Sequence, residues 1–310
     1  MRRTLRRAPR RRHPPAAPAQ TRTERNALMI VVTGATGALN GATVEHLLKH
    51  VPAERIGVSV RDVAKAQHFA DRGVRVRQGS YEDPAALRHS FEDAEQVLLV
   101  STNNPHANAP ALHSAGIEAA IAAGAQRILY TSHQAASNDS LFAAAPAHAA
   151  TEELLAESGV KWTSLRNGFY THSLAWLLGP WRETDVIAAP ADGPVSWTDR
   201  ADAAEAAATI LLSDRPFDGP VTLTAGEAVT FDDIATRASK ITGREIQRVT
   251  VPDEQWLTER LQTGTPEPMA HMLLGFFHAA RAGHFAEVTP LLTELLDREP
   301  RTITAHLTNT

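Results

Sequence analysis

The residues best suited to chemistry sit in one glycine-rich loop, Thr33-Gly34-Ala35-Thr36-Gly37-Ala38-Leu39-Asn40. An apolar run, Met29-Ile30-Val31-Val32, precedes it, and an amphipathic stretch with Val44, Leu47 and Leu48 at helical spacing follows. Strand, glycine turn and helix together give such a loop a mechanism. Gly34 permits the tight turn, and Gly37 lets the backbone approach a pyrophosphate closely. Thr36, Ala38 and Leu39 complete the contacting loop, where free N–H groups and the partial positive charge of a helix N-terminus face phosphate oxygens. The third glycine of the usual pattern falls at Asn40, and the glycine comes one position late, at Gly41. That is a departure, because this glycine normally allows close packing of helix on strand.

Further candidates lie where later apolar runs end. Arg55 to Val60 reads as a second strand, and Arg61-Asp62 follows with Lys65 one helical turn on. In a dinucleotide fold this corner meets the adenosine ribose. A carboxylate there binds the 2′-hydroxyl of NAD, and an Arg accommodates the 2′-phosphate of NADP. Arg61 and Lys65 suit the phosphate and favour NADP(H), while Asp62 keeps NAD open. Ser80-Tyr81 occupies the corner where an adenine would lie, and a turn-forming role explains it equally well. Ser101-Thr102-Asn103 and Thr131-Ser132-His133 end the fourth and fifth strands and face the ligand crevice. Asn167-Gly168-Phe169-Tyr170 follows the sixth. Here Gly168 permits backbone approach to the nicotinamide amide, Asn167 offers donor and acceptor, and Phe169 or Tyr170 forms a wall for a flat substrate. His148 and His133 titrate in the range of a proton donor, although His148 on an Ala-rich helix equally suits the surface. Trp176 and Trp181 either line the same pocket or pack the neighbouring lobe. No cysteine is present, and no histidine has partners at metal-ligand spacing, so no metal is expected.

These residues need positioning elements, and the pattern supplies them. Strands are expected at 29–32, 55–60, 74–78, 96–100, 127–130 and 160–165. Helices follow them at about 63–71, from 85, at 109–123 and at 146–158. Asp83 caps the helix that starts with Pro84 in its first turn. Leu154 and Leu155 face inward. Six strands alternating with helices specify an α/β, Rossmann-type doubly wound parallel sheet. Beyond residue 179 the punctuation by Gly, Pro and Asp changes the character of the chain. Helices are expected at 200–212, 230–241 and 253–262, and around Leu273 to Phe277. The expected organisation is an extension over 1–28, a dinucleotide-binding domain over 29–179, and a smaller substrate-side lobe over 180–310 that is partly continuous with that domain.

The 310 residues carry a net charge of −4, which hides an asymmetry. Residues 1–25 hold nine Arg and one acid, Glu24, which leaves −12 for the rest. An acidic body argues against a nucleic-acid surface on the folded part. The Arg- and Pro-rich start has too little apolar content to fold. It lacks the apolar core of a signal peptide and the amphipathic, Ser-rich character of a transit peptide. The reading adopted is an upstream extension or disordered tail, with Met29 as the natural start. No apolar run reaches the length of a membrane span, and a cytoplasmic location is expected.

Five segments in order carry a family resemblance: TGATGALN, the Val-Arg-Asp turn with Ala64-Lys65-Ala66, Ile128-Leu129-Tyr130-Thr131-Ser132, Leu165-Arg166-Asn167-Gly168-Phe169-Tyr170, and the closing Thr302 to Leu307. Together they resemble the NmrA-like, atypical branch of the short-chain dehydrogenase/reductases. Within that branch they are most similar to bacterial NAD(P)H:quinone oxidoreductases and triphenylmethane reductases. The resemblance implies an NADP(H)-dependent transfer of hydride to a quinone or similar planar conjugated acceptor. Where the wider superfamily has Tyr-x-x-x-Lys, this chain reads His148-Ala149-Ala150-Thr151-Glu152. Loss of that acid–base pair disfavours reduction of isolated ketones. A quinone relaxes to an aromatic hydroquinone and needs little acid catalysis, so Asn167, Tyr170 or a water would suffice. The missing pair equally fits the branch's non-enzymatic NADP(H) sensors. A homodimer stands as a possible assembly.

Overall fold

A computed structural model of the protein describes residues 29–309, apart from 103, 105 and 106. The expected extension over 1–28 and the candidate Asn103 lie outside the described residues. Strands β1 (Ile30–Thr33), β2 (Ile56–Val60), β3 (Arg75–Gln78), β4 (Gln96–Leu99), β5 (Arg127–His133), β6 (Lys161–Asn167) and β8 (Gly219–Leu223) form one sheet. Their order is β3-β2-β1-β4-β5-β6-β8, and every pairing is parallel. All residues of β1, β2 and β4 are buried, as a parallel sheet covered on both faces requires. The chain winds outward from β1 through β2 to β3, then returns to β4 on the other side of β1. The crevice at that reversal is where open α/β sheets bind ligands.

Helices Ala38–Leu47, Arg200–Leu212 and Leu291–Leu296 cover one face, burying Val44, Leu47, Ile210 and Leu292 against Val32 and Leu98. Helices Pro84–Ser90, Ala109–Ala122 and Ala145–Glu157 cover the other, burying Leu87, Ile117 and Leu155 against Val31 and Val97. Each such aliphatic side chain contributes about 1.5–3 kcal/mol on burial. Asp83 caps Pro84–Ser90 through the amides of Ala85 and Ala86, as its position predicts. The helix expected at 63–71 is instead a 3₁₀ turn, Val63–Ala66, followed by the single turn Gln67–Ala70.

Past residue 180 the chain divides its residues. Arg200–Leu212 and β8 return to the main sheet, and β8 is a seventh strand that alternation did not reveal. Its start, Gly219-Pro220, carries two residues that strands normally avoid. The rest forms a lobe around Trp197, Phe231, Trp256, Phe276 and Phe277, with a two-stranded parallel ribbon of β7 (Val186–Ala189) and β9 (Gln247–Thr250). No helix of the described residues is long and apolar enough to cross a membrane.

One buried charge fastens the end of the chain to the sheet domain. The Asp202 carboxylate has no solvent exposure, and it accepts from Arg298 Nη2 at 2.8 Å and from the Arg301 amide at 2.6 Å. The Arg301 guanidinium reaches it as well. Asp202→Ala is expected to lower stability by about 3 kcal/mol, the low end for breaking a buried pair, because both arginines keep partial access to water. Urea unfolding measures this, and an unchanged midpoint would show that the contact is dispensable.

Candidate active site

A cleft of ≈ 520 Å³ opens at the carboxyl ends of β1, β2 and β4. Gly34, Thr36, Gly37, Ala38 and Leu39 line one wall, with Arg61, Ser80, Tyr81, Ser101, Thr102 and Tyr170 around it. Gly34 has φ +63°, and a Cβ there would stand 2.7 Å from Val100 Cγ1. The missing third glycine is explained by its neighbour. A Cβ on Gly41 would fall 2.8 Å from the Ala35 carbonyl oxygen, so Gly41 makes the close helix–loop contact. Asn40 does other work: its Nδ2 donates to the Thr33 carbonyl at 2.8 Å and ties the helix back to β1. The result is a cradle of backbone at a helix N-terminus, shaped for a diphosphate.

At the adenosine end Arg61 lines the cleft and is exposed. Asp62 turns to its own backbone, accepting from the Ala64 amide at 3.1 Å, and lies 3.8 Å from Lys65 Nζ. That capping role leaves Arg61 as the residue presented to the ribose corner, which favours a 2′-phosphate. Lys65 is not among the lining residues, so of the two expected cations Arg61 alone lines the cleft. Ser80 lines the cleft and accepts from the Glu82 amide at 3.2 Å, which is the turn role weighed for it. Tyr81 is anchored through its hydroxyl, which donates to the Val100 carbonyl at 2.8 Å.

At the other end the candidates separate into cleft and support. Tyr170 lines the cleft, and the buried side chain of Asn167 lies behind it. Burial pushes the Tyr170 hydroxyl above its ordinary range, so it stays protonated. Thr131 lies behind the wall, where its Oγ1 accepts from the Ser101 amide at 2.8 Å. Ser132 is not among the lining residues. Its hydroxyl is buried and donates to Glu152 at 2.7 Å. Gly168 is absent from the lining too, and its missing side chain makes room for Thr198, whose Oγ1 would stand 2.2 Å from a Cβ there. Trp181 is buried in the lobe, while Trp176 is half exposed with its ring edge-on to His172 at 5.8 Å.

His133 and His148 lie outside the cleft lining. His133 is packed among Phe142, Phe169 and Phe285, and burial with help from His148 lowers its pKa to about 3. Burial lowers His148 to about 4, so both rings are neutral at pH 7. His148 Nδ1 lies 2.9 Å from the Tyr130 hydroxyl. The sequence reading missed His113, a lone histidine on an apolar helix face. The Thr102 amide donates to its Nε2 at 3.0 Å, so Nδ1 carries the proton, 2.8 Å from Thr151 Oγ1. It also missed His172 and Arg200, which line the cleft beside Tyr170. Arg200 directly follows a helix cap, Asp199, and that position was the available signal.

The model of the NmrA-like family matches residues 27–305. The chain belongs to the NmrA-like family. It is 35% identical to quinone oxidoreductase 2 of Escherichia coli over 91% of this chain and 99% of that protein. A solved structure of an E. coli NADPH-dependent quinone oxidoreductase, complexed with NADPH, superposes with a TM-score of 0.83, covering 91% of this chain and 99% of that one. The Citrobacter triphenylmethane reductase complexed with NADP(H) gives 0.84 at 31% identity, covering 90% and 99%.

In this NmrA-like chain the helix position that holds lysine in the wider superfamily carries Glu152. Its carboxylate accepts from Ser132, from Ser164 at 2.6 Å and from Arg166 Nε at 3.0 Å. A carboxylate so fully bonded joins β5, β6 and the helix, and it supplies no proton to the cleft. Two outcomes are expected. Arg61→Ala should weaken NADPH binding at least ten-fold and NADH binding less than two-fold by calorimetry; equal losses would remove the 2′-phosphate contact. His113 is held neutral, its pKa lowered to about 4 chiefly by burial and then by His148, against 6.5 unfolded. The unfolded chain therefore binds the extra proton between pH 6.5 and 4, and stability falls as pH drops through that window. His113→Asn should flatten that slope by up to one proton, about 1.4 kcal/mol per pH unit. Urea titrations across the window test it, and parallel slopes would refute it.

Proposed function

We propose that this chain is an NADPH-dependent oxidoreductase that passes hydride to a quinone or a similar planar conjugated acceptor. The observation that carries the proposal is the composition of the cleft. It joins a glycine cradle and Arg61 at one end to Tyr170 at the other, and among the described residues of the lining no lysine pairs with a tyrosine. The relatives named as a quinone oxidoreductase and a triphenylmethane reductase support the same acceptor class.

NADPH, when bound, supplies the hydride. Gly34 to Leu39 would hold its diphosphate, and Arg61 its 2′-phosphate. Tyr170 presents a protonated hydroxyl to the charge that develops on the acceptor oxygen. Asn167 lies buried behind that hydroxyl, and among the described residues its Oδ1 has no partner. Preorganised donors of this kind stabilise an oxyanion without needing a strong acid. Neutral His133 and His148 add no charge, which suits an apolar planar acceptor. Hydride alone takes a quinone to its hydroquinone monoanion, and one proton, delivered through Tyr170 and replaced from water, completes the neutral hydroquinone.

The test is oxidation of NADPH by the full chain with a small benzoquinone, with NADH in parallel. Turnover that prefers NADPH is expected. Tyr170→Phe should then lower kcat ten-fold or more, with NADPH affinity within two-fold. Tight NADPH binding without turnover over several quinones and dyes would overturn the proposal in favour of a sensor.

A further inference from the structure

The charges lining the cleft leave one residue without a stated purpose. Among the described residues Arg61 and Arg200 are the cations of the lining, and Glu82 is its acid. Arg61 stands at the adenosine end, on the loop after β2. Arg200 begins the helix Arg200–Leu212, which lies beside Ala38–Leu47 on the same face of the sheet. Each of these helices connects to a parallel strand that follows it, β2 or β8, so both start at the carboxyl end of the sheet. Arg200 therefore sits beside the diphosphate cradle and next to Tyr170.

Its bonding is incomplete. A guanidinium carries five N–H donors. One interaction is made, from Nη1 to His172 Nε2 at 3.3 Å. Among the described residues no carboxylate lies within ion-pair distance of it. The adjacent Asp199 is engaged elsewhere, accepting from the Ala201 amide at 2.8 Å and lying 3.7 Å from Arg301 Nη1. His172 is half-buried and neutral, its pKa lowered to about 4 by burial and then by Arg200, so its Nε2 is free to accept. The other ring nitrogen is buried without a partner. A polar ring is thus held in an unsatisfied position, where it braces a half-buried cation that lacks a protein anion. Such cations normally pair.

We infer that Arg200 is an anion-binding residue of this cleft, positioned by His172, and that the ligand brings the anionic oxygen it takes. Two sources share that chemistry: the diphosphate of the dinucleotide, and an acidic substituent on the acceptor. The second source rests on the acceptor class proposed above, and the first does not.

The experiment uses the full chain with Arg200→Gln and Arg200→Lys. Calorimetry measures binding of NADPH and of 2′-phospho-ADP-ribose, which keeps the diphosphate and lacks nicotinamide. Steady-state rates at saturating NADPH compare a neutral naphthoquinone with its sulfonated counterpart. For the diphosphate, Arg200→Gln weakens both dinucleotide ligands about ten-fold, and Arg200→Lys restores part of the loss. For the acceptor, both affinities hold and KM rises about ten-fold for the sulfonated quinone alone. A Gln variant with unchanged Tm and wild-type values in all four measurements would overturn the assignment. Should the wild type turn over no quinone, the acceptor proposal falls, and calorimetry alone decides Arg200, with unchanged affinity refuting it.

Discussion

The cleft depends on a single hydroxyl at the reversal of the sheet. The backbone ladder between β1 and β4 ends at Val32 and Leu98, where the two chains must part to leave in opposite directions. Thr33 carries the pairing one step further with its side chain. Its Oγ1 accepts from the Val100 amide at 2.7 Å, lies 3.1 Å from the Leu98 carbonyl, and stands 3.1 Å from the Tyr81 hydroxyl. Three loops, after β1, β3 and β4, are thereby fixed against one another where the sheet itself no longer holds them. The glycine cradle, the Tyr81 wall and the Ser101 corner are all placed by that node. A buried polar group is tolerable there because its bonding is complete.

Behind the wall, polar side chains that look catalytic are joined to one another. Ser132, Ser164 and Arg166 converge on Glu152, and His113 bridges Thr102 to Thr151. Such networks rigidify a core and keep their members from reacting. Among the described residues the titratable groups of the cleft are two arginines, Glu82, the phenols of Tyr81 and Tyr170 and the neutral imidazole of His172, beside the backbone cradle and a few short polar side chains. That sparse equipment suits chemistry in which the cofactor and an easily reduced acceptor carry most of the driving force.

Much of this was legible in the residues. Short apolar runs marked β1 and β4, because parallel strands buried on both faces admit little else, while β3 was legible from its alternation and the remaining strands of the first six from mixed runs between turn residues. The order of glycine loop, arginine and crevice residues named much of the cleft lining. What stayed hidden has physical causes. The strand at Gly219-Pro220 pairs on one side only, where a proline is tolerated, so its composition does not read as strand. Whether Ser132 or Gly168 faces a ligand or a neighbour depends on contacts with Glu152 and Thr198, 20 and 30 positions away in the chain. The role of Arg200 required knowing that its helix lies beside the first one, which no local pattern encodes.

The Asp202 contact also has a geometric meaning. It lies two residues beyond Arg200 on the same helix and is gripped by Arg298 and Arg301, close to the last residues of the chain. Arg301 reaches Asp199 as well, on the other side of Arg200. The segment of Arg298 and Arg301 therefore works as a clasp on the very turn that presents the cleft's second cation.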